Sequence, residues 1–145
     1  CSLESSLREL AMYRMERAFE MLIAAEDNLK IGQYKTSLNR SYYAIFHVMR
    51  AANIIKGFDS SKHSGVIAFF NKEYLKENII DRKMSPIIKN SSFFREKSDY
   101  DGLFIGSKKD SENQLKNAKI FLSVVEDYLK TENHNLLANP QISRH

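Results

Sequence analysis

The chain has 145 residues, of which 43% are hydrophobic and 28% charged, and this size and composition fit one globular domain. Five Gly and two Pro are too few for a turn-rich β-sandwich or a low-complexity chain. The net charge of +4 is compatible with a polyanionic partner. The single cysteine, Cys1, excludes an internal disulfide framework and a Cys-based zinc cluster, and it favours a reducing, cytoplasmic setting.

Helical periodicity accounts for the first half of the chain. Apolar residues spaced by three and four positions predict one helix from about Ser5 to Lys30 and a second from about Tyr34 to Lys56. Ile31 and Gly32 provide the stop between them. The second helix has a clear buried stripe, which consists of Leu38, Tyr42, Ile45, Met49 and Ala52.

Three further helices are predicted in the second half. A shorter helix covers His63 to Tyr74, and the polar segment 76–84 that follows it is ambiguous. Ser85-Pro86 is typical of a helix N-cap followed by proline at the first helical position, so a fourth helix runs from there to about Tyr100. The fifth helix runs from about Ser111 to Lys130.

The predicted fold is all-α, because no segment alternates as a β-strand does. Long amphipathic helices that each bury one face indicate an up-and-down antiparallel bundle of four to five helices. The bundle is predicted to cover residues 1–131. Residues 132–145 lack periodicity and contain Pro140, so they are predicted to form a flexible C-terminal tail. No segment approaches the ~20 apolar residues of a membrane span.

Common phosphate-binding and metal-binding motifs are absent from the sequence. It has no GxxxxGKS/T or GxGxxG loop to cradle a phosphate. It has no HExxH pair and no ExxH pair suited to a di-iron bundle. We therefore predict neither a metal ion nor a cofactor.

The segment Asn39–His47 is the first candidate for chemistry. Arg40 and His47 are seven residues apart, so on a helix they lie about 20° apart in projection and two turns along the axis, with Tyr43 between them. A guanidinium can hold a phosphate with two hydrogen bonds, and a histidine can transfer a proton near neutral pH. Together they suffice for metal-free cleavage of RNA by its own 2′-hydroxyl. On spacing alone, Arg40 paired with a carboxylate and His47 satisfied in the core is the simpler interpretation.

A second candidate lies near the end of the fourth helix. Arg95 and Asp99 have the i, i+4 spacing of an intrahelical ion pair, and Tyr100 follows them. Residues 76–97 contain six basic and three acidic side chains, with aromatic rings in and around the segment. This combination suits single-stranded nucleic acid, because bases stack on rings while cations hold phosphates. A solvated helix face with core aromatics explains the same pattern.

These segments resemble the HEPN domain family. The stretch Asn39–His47 resembles its R-x-Y-Y-A-x-F-H signature, and Arg95-x-x-x-Asp99-Tyr100 resembles its R-x-x-x-D-Y segment. The last helix resembles the family's A-x-x-F-L-x-x-V-x-x-Y-L ending, which includes Ala118, Phe121, Leu122 and Tyr128. The resemblance covers about residues 14–130.

The resemblance implies a helical bundle that dimerises through its long helices. Many members are metal-independent ribonucleases, and several are toxins paired with a nucleotidyltransferase antitoxin. The active families carry an R-x(4–6)-H motif, with Arg and His from both protomers lining a cleft at the dimer interface. Arg40 and His47 are accordingly the catalytic candidates. The candidates for binding RNA phosphate or orienting the site are Asn39, Tyr43, Arg95, Asp99 and Tyr100.

The later segment departs from this motif, because Asp99 stands where a histidine is expected. Three functions therefore stay open. The first is an RNA-binding protein that acts as a ribonuclease toxin with a nucleotidyltransferase antitoxin. The second is a non-catalytic dimeric module that binds a nucleotidyltransferase, and the third is a nucleotide-sensing domain. The leading expectation is a cytoplasmic homodimer that does not associate with membranes.

Overall fold

The computed structural model describes the backbone of residues 3–138 and the side chains of residues 5–132. All regular structure in residues 3–138 is helical, which confirms the predicted all-α bundle. Within residues 3–138, no helix contains an apolar stretch that could span a lipid bilayer. The elements in chain order are α1 (Leu3–Lys30), α2 (Tyr34–Ile55), α3 (His63–Phe70), a π-helical turn (Asn71–Leu75), a 3-10 turn (Arg82–Met84), α4 (Ser85–Tyr100) and α5 (Lys108–Ala138).

Helix α2 is the centre of the bundle. It packs against α1, α5, α4 and α3, and every residue of its predicted apolar stripe is buried. The short connection to α1 makes these two helices antiparallel neighbours, and the Ser37 hydroxyl donates to the Ala25 carbonyl beside that connection at 2.8 Å. At the same end of α2, the Ser111 hydroxyl of α5 donates to the Tyr34 carbonyl at 3.1 Å. These bonds fix the lengthwise position of α2 against both partners.

Large side chains from four elements fill the core around α2. The Tyr74 hydroxyl, from the π-helical turn, donates to the Ala52 carbonyl of α2. The Asn53 amide donates to the Val66 carbonyl of α3 at 3.1 Å. Both polar side chains are therefore buried with a hydrogen-bond partner, as the interior requires. The largest fully buried apolar side chains are Tyr42, Tyr74, Phe70, Phe121, Leu38, Ile45, Met49 and Leu122.

Two helix boundaries differ from the prediction. Ser85 is the first residue of α4 rather than its N-cap; Met84 holds that position without a side-chain cap bond. The reason is that the 3-10 turn leads directly into the helix, and Asp81 caps that turn by accepting from the Lys83 amide. Helix α5 continues past residue 131 to Ala138, because the chain has no helix breaker before Pro140. Residues 139–145 of the predicted tail lie outside the described residues.

Gly106, in the connection between α4 and α5, has a left-handed backbone with φ of +81°. A Cβ at this position would lie 3.0 Å from Leu38 Cδ1 and 3.4 Å from the Lys35 nitrogen. We expect Gly106→Ala to lower the free energy of unfolding by about 1–2 kcal/mol, because the left-handed conformation and the close contact are both unfavourable for alanine. Urea denaturation measures this loss.

Gly102, in the same connection, is the matched control, because a Cβ there meets nothing within 4 Å. Gly102→Ala is expected to change stability by less than about 0.5 kcal/mol. Equal losses in the two variants would contradict the role assigned to the Gly106 conformation.

Candidate functional site

Arg40, Tyr43 and His47 form a half-buried strip along α2, which we call the α2 edge. The three side chains lie beside the buried stripe of the same helix, as their spacing predicted. With a rise of about 1.5 Å per residue, Arg40 and His47 are about 10 Å apart along the axis. Helices α1 and α4 both pack on α2, and contacts of the edge residues reach both of them.

Arg40 points toward α1. Its Nη1 atom lies 3.8 Å from the Met21 sulfur, which is a weak hydrogen-bond acceptor. Among the described residues, Arg40 makes no ion pair, so the simpler interpretation in which a carboxylate neutralises it is not what the structure contains. Asn39, the preceding residue, is half-buried. Within residues 5–132, no hydrogen bond joins Asn39 to the other candidates. Arg40 therefore presents a charge without a counter-ion on the α1 side of the edge.

His47 also faces α1, two turns further along. Burial lowers the pKa of His47 to about 4, and the positive charges of Arg17, Arg50 and Arg14 act in the same direction. Its Nδ1 atom is buried and has no hydrogen-bond partner among the described residues. His47 is thus neutral at pH 7. It is not the satisfied core histidine of the simpler interpretation.

Two arginines near His47 share one carboxylate. Arg14 of α1 places Nη2 3.1 and 3.2 Å from the two carboxylate oxygens of Asp59. Arg50 of α2 places Nη2 2.9 Å from Asp59 Oδ1. Burial opposes the ionised form, yet the Arg50 hydrogen bond and the charge of Arg14 hold the pKa of Asp59 below its ordinary value. Asp59 is therefore ionised at neutral pH, in the loop between α2 and α3.

Arg95 comes from α4 and approaches the flank of α2 that carries Tyr42 and Tyr43. Its Nε atom lies 3.4 Å from the Asp99 carboxylate, which confirms the predicted i, i+4 pair. The guanidinium carbon lies 5.6 Å from the Tyr42 ring centroid and 6.0 Å from that of Tyr100, within reach of cation–π attraction. Burial lowers the pKa of Arg95, but the hydrogen bond to Tyr43 and the electrostatic effect of the neighbouring tyrosines outweigh burial and raise this pKa above its ordinary value. Tyr100 itself is 76% exposed.

A second histidine belongs to this flank. His63, the first residue of α3, has Nδ1 2.6 Å from the Tyr42 hydroxyl, and its ring stacks on Phe46 at 4.4 Å between centroids. Burial lowers the pKa of His63, and the charge of Arg95 adds to this effect. The sequence analysis identifies His63 only as the start of a helix, because no spacing rule connects it to Tyr42, which lies 21 residues earlier on another helix.

The candidates thus fall into two groups, one toward α1 and one toward α4. Arg40 and His47 face α1, whereas Arg95, with Asp99 and Tyr100, lies on the α4 side. Tyr43 connects the groups: its ring centroid is 6.3 Å from that of His47 and 5.8 Å from that of His63. Within residues 5–132, no three His, Cys, Asp or Glu side chains lie close enough together to hold a metal ion.

Sequence reasoning missed Arg14, Arg17, Arg50, Asp59 and His63. Arg50 lies one turn after His47, and this spacing was a usable signal. Arg14 and Arg17 lie one turn apart on α1, but their approach to His47 depends on how α1 and α2 align. Three arginines around one imidazole give this end of the edge a positive potential, which favours an anion over a cation.

The depressed pKa of His47 makes stability pH-dependent. The unfolded chain binds the His47 proton near pH 6.5, whereas the folded chain binds it near pH 4. Because the unfolded state holds more protons between these values, this contribution to stability is complete above pH 6.5 and is lost as the pH falls to 4. Partial exposure limits it to roughly 1–2 kcal/mol.

Urea denaturation of wild type and His47→Gln across this pH range isolates the contribution, since all other titrating groups are shared. We expect the variant to lose less stability between pH 6.5 and pH 4 than wild type. Identical losses would show that the folded protein does not hold His47 neutral.

Comparison with known proteins identifies relatives of this chain. The family model for the HEPN domain matches residues 11–128. A protein of Methanocaldococcus jannaschii named "Putative toxin MJ0142" is 31% identical over 119 residues, which cover 82% of this chain and 81% of the relative. A Thermotoga maritima protein named "UPF0332 protein" is 30% identical over 118 residues, which cover 81% of this chain and 89% of the relative.

A solved structure has the same fold. The crystal structure of TT1696 from Thermus thermophilus superposes with a TM-score of 0.68 and covers 81% of this chain and 97% of that one. At 16% sequence identity the likeness concerns the fold alone. The family model spans α2 with its edge as well as α4 and most of α5, so the chain belongs to the HEPN domain family.

Proposed function

We propose that this protein binds single-stranded RNA along the α2 edge and cleaves it without a metal ion. One observation carries the proposal: a neutral imidazole, His47, lies on the same strip as Arg40, whose charge has no counter-ion among the described residues. The base and the phosphate-holding group required for cleavage by a 2′-hydroxyl are thus on one face.

The chemistry follows from the protonation state of His47. The imidazole accepts the proton of the 2′-hydroxyl, and the oxygen attacks its own phosphorus. The bond from phosphorus to the 5′-oxygen breaks, and the imidazolium returns the proton to that oxygen. Products are a 2′,3′-cyclic phosphate and a 5′-hydroxyl. Arg40 stabilises the charge that builds on the phosphoryl oxygens, and Tyr43 and Tyr100 stack on bases.

Arg95 supplies a further cation on the other flank. Asp99 and the ring of Tyr42 hold its guanidinium in place, and Asp99 offsets part of its charge. We infer that Arg95 contacts an adjacent phosphate of the strand rather than the scissile one, because its own contacts are with Tyr42, Tyr43 and Asp99 and not with Arg40. Asn39 lies next to Arg40 and would contact the strand at that end.

The biological role that we propose is that of a toxin. The Methanocaldococcus jannaschii relative carries the name "Putative toxin MJ0142", and the HEPN family includes toxins paired with a nucleotidyltransferase antitoxin. We propose such a partner for this chain, and a homodimer whose two α2 edges face one cleft. Toxicity on induced expression, and its relief by co-expression of a neighbouring nucleotidyltransferase gene, tests the pairing.

The direct test is incubation of the purified full chain with single-stranded RNA, with and without EDTA. We expect cleavage that EDTA does not reduce and fragments that end in a 2′,3′-cyclic phosphate. A DNA strand of the same sequence should bind but stay intact, because it lacks the attacking hydroxyl. Cleavage that stops on adding EDTA, or fragments ending in a 5′-phosphate, would contradict this mechanism.

A non-catalytic partner module is the second candidate. The observation that favours it is Asp99, a carboxylate where active relatives of the family are expected to carry the histidine of their motif. This candidate predicts no cleavage by purified protein. It also predicts that Arg95→Ala or Asp99→Ala weakens dimerisation or lowers the melting temperature, because Asp99 orients Arg95 and Arg95 would then hold α4 on α2 through the Tyr42 ring.

A further inference from the structure

The pairing of Arg14 and Arg50 with Asp59 leaves positive charge uncompensated. Two guanidinium groups, from α1 and α2, meet a single carboxylate. Each arginine side chain is 14% exposed, whereas Asp59 is 39% exposed. Water therefore screens the anion better than it screens the cations. A half-buried charge in excess is unfavourable unless an anion accompanies it.

Hydrogen-bonding capacity is also in excess at this place. The Nε atoms of Arg14 and Arg50 are buried and have no hydrogen-bond partner among the described residues. The Nδ1 atom of the nearby His47 is in the same state. A carboxylate offers two oxygens, and both already accept from the terminal nitrogens of the arginines. Among the described residues, neither Arg14 Nε nor Arg50 Nε donates to Asp59 or to any other acceptor.

Arg17 extends the positive surface at the edge of this pair. It lies one turn from Arg14 on α1 and contacts Glu20 at 2.9 Å, with both side chains well exposed. Surface pairs of this kind are weak and exchange readily with other ions. Arg17 is also the largest charged contributor to the lowered pKa of His47, so its charge reaches the interior of the cluster.

A phosphate group fits these donors better than a carboxylate does. It has more acceptor oxygens and carries up to two negative charges, and planar guanidinium forks bind it with paired hydrogen bonds. Asp59 stands in the short loop between α2 and α3 and is far more exposed than Arg14 and Arg50, so it can leave without unfolding a helix.

We propose that Arg14, Arg50 and Arg17 form a phosphate-binding site in which the Asp59 carboxylate is an internal ligand that an incoming phosphate group displaces. The inference goes beyond the proposed cleavage, because it concerns binding only and requires no chemistry at the α2 edge. The phosphate can be free or part of a nucleic-acid backbone, and the experiment separates these sources.

The test compares wild type with Asp59→Asn, which keeps the shape of the side chain and removes its charge. Binding of inorganic phosphate is followed by NMR titration at low ionic strength near pH 7, with chloride as the reference anion. We expect Asp59→Asn to bind phosphate at least about tenfold more tightly than wild type. In the double variant with Arg50→Gln this gain should disappear. Lys116→Gln, an exposed charge change on α5, is the control and should leave affinity unchanged.

A second arm uses a short single-stranded DNA, which presents phosphodiesters that cannot be cleaved by a 2′-hydroxyl. Tighter binding of both probes by Asp59→Asn identifies a site for phosphate groups in general. Tighter binding of the DNA alone identifies a backbone site, and tighter binding of phosphate alone identifies a site for the free ion. In wild type, the Nε signals of Arg14 and Arg50 should shift with the bound probe and not with chloride.

Either of two results overturns the proposal. One is an Asp59→Asn protein whose affinity for both probes stays within about twofold of wild type, as expected if Asp59 only clamps α1 to α2. The other is a gain in affinity that survives Arg50→Gln. If Asp59→Asn does not fold, the Nε signals of Arg14 and Arg50 in wild type decide whether the site exists. Failure of these signals to respond to either probe rejects the site. RNA cleavage is not a readout, so its absence leaves this result intact.

Discussion

His47→Ala is expected to lower the rate of RNA cleavage by about 10²–10⁴-fold, the usual contribution of a positioned acid–base group. Arg40→Ala is expected to lower it by about 10²–10³-fold, because a positioned cation would no longer stabilise the charge on the phosphoryl oxygens. Both side chains are only half-buried, so the helical content by circular dichroism should stay that of wild type. The measurement is the initial rate on a labelled single-stranded RNA in the presence of EDTA.

Two conservative variants make this prediction specific. His47→Gln preserves size and polarity but cannot take up a proton, so it should be as inactive as His47→Ala. Arg40→Lys keeps the charge but loses the two-pronged fork, so it should retain more activity than Arg40→Ala. Unchanged cleavage in both alanine variants would exclude the α2 edge as the catalytic site.

Phe121→Ala is expected to lower the free energy of unfolding by about 3–5 kcal/mol, because it removes a ring from a close-packed interior and leaves a cavity. Phe121 of α5 is fully buried, and its ring lies 5.6 Å from that of Phe70 between centroids. A loss of this size is a large fraction of the roughly 5–15 kcal/mol typical of a whole domain. Urea denaturation monitored by circular dichroism measures it.

Ile120, the preceding residue of α5, is the matched control, because its side chain is 40% exposed. Ile120→Ala is expected to cost less than about 1 kcal/mol. Similar losses in the two variants would mean that α5 does not present the face assigned to it. Comparing Phe121→Ala with Ile120→Ala also tests whether the buried apolar residues of α5 hold this helix against the rest of the bundle.

Features that depend on spacing along one helix were predictable from the sequence. The stripe through Leu38 and Ala52 is buried because residues three and four apart share a face. Arg95 meets Asp99 for the same reason. The half-buried strip of Arg40, Tyr43 and His47 also follows from helix geometry alone. Each of these features is determined by local dihedral angles and requires no knowledge of the neighbouring helix.

Features that depend on how separate elements align were not predictable. The meeting of Arg14, Arg50 and Asp59 requires the relative positions of two helices and a loop. The contact of His63 with the Tyr42 hydroxyl requires the packing of α3 on α2. Hydrophobic periodicity gives the face that a helix buries, but it does not give the longitudinal offset between two such faces.

Tyr42 is at once part of the apolar interior and an anchor for two polar groups. Its side chain is 1% exposed, yet its hydroxyl meets His63 and its ring lies beneath the Arg95 guanidinium. A densely packed interior yields little under load and transmits strain. The packing of the hydrophobic core around Tyr42 therefore determines the distance between the His63 imidazole and the Arg95 guanidinium. Surface fluctuations alone would alter it little, whereas repacking the interior would move both groups together.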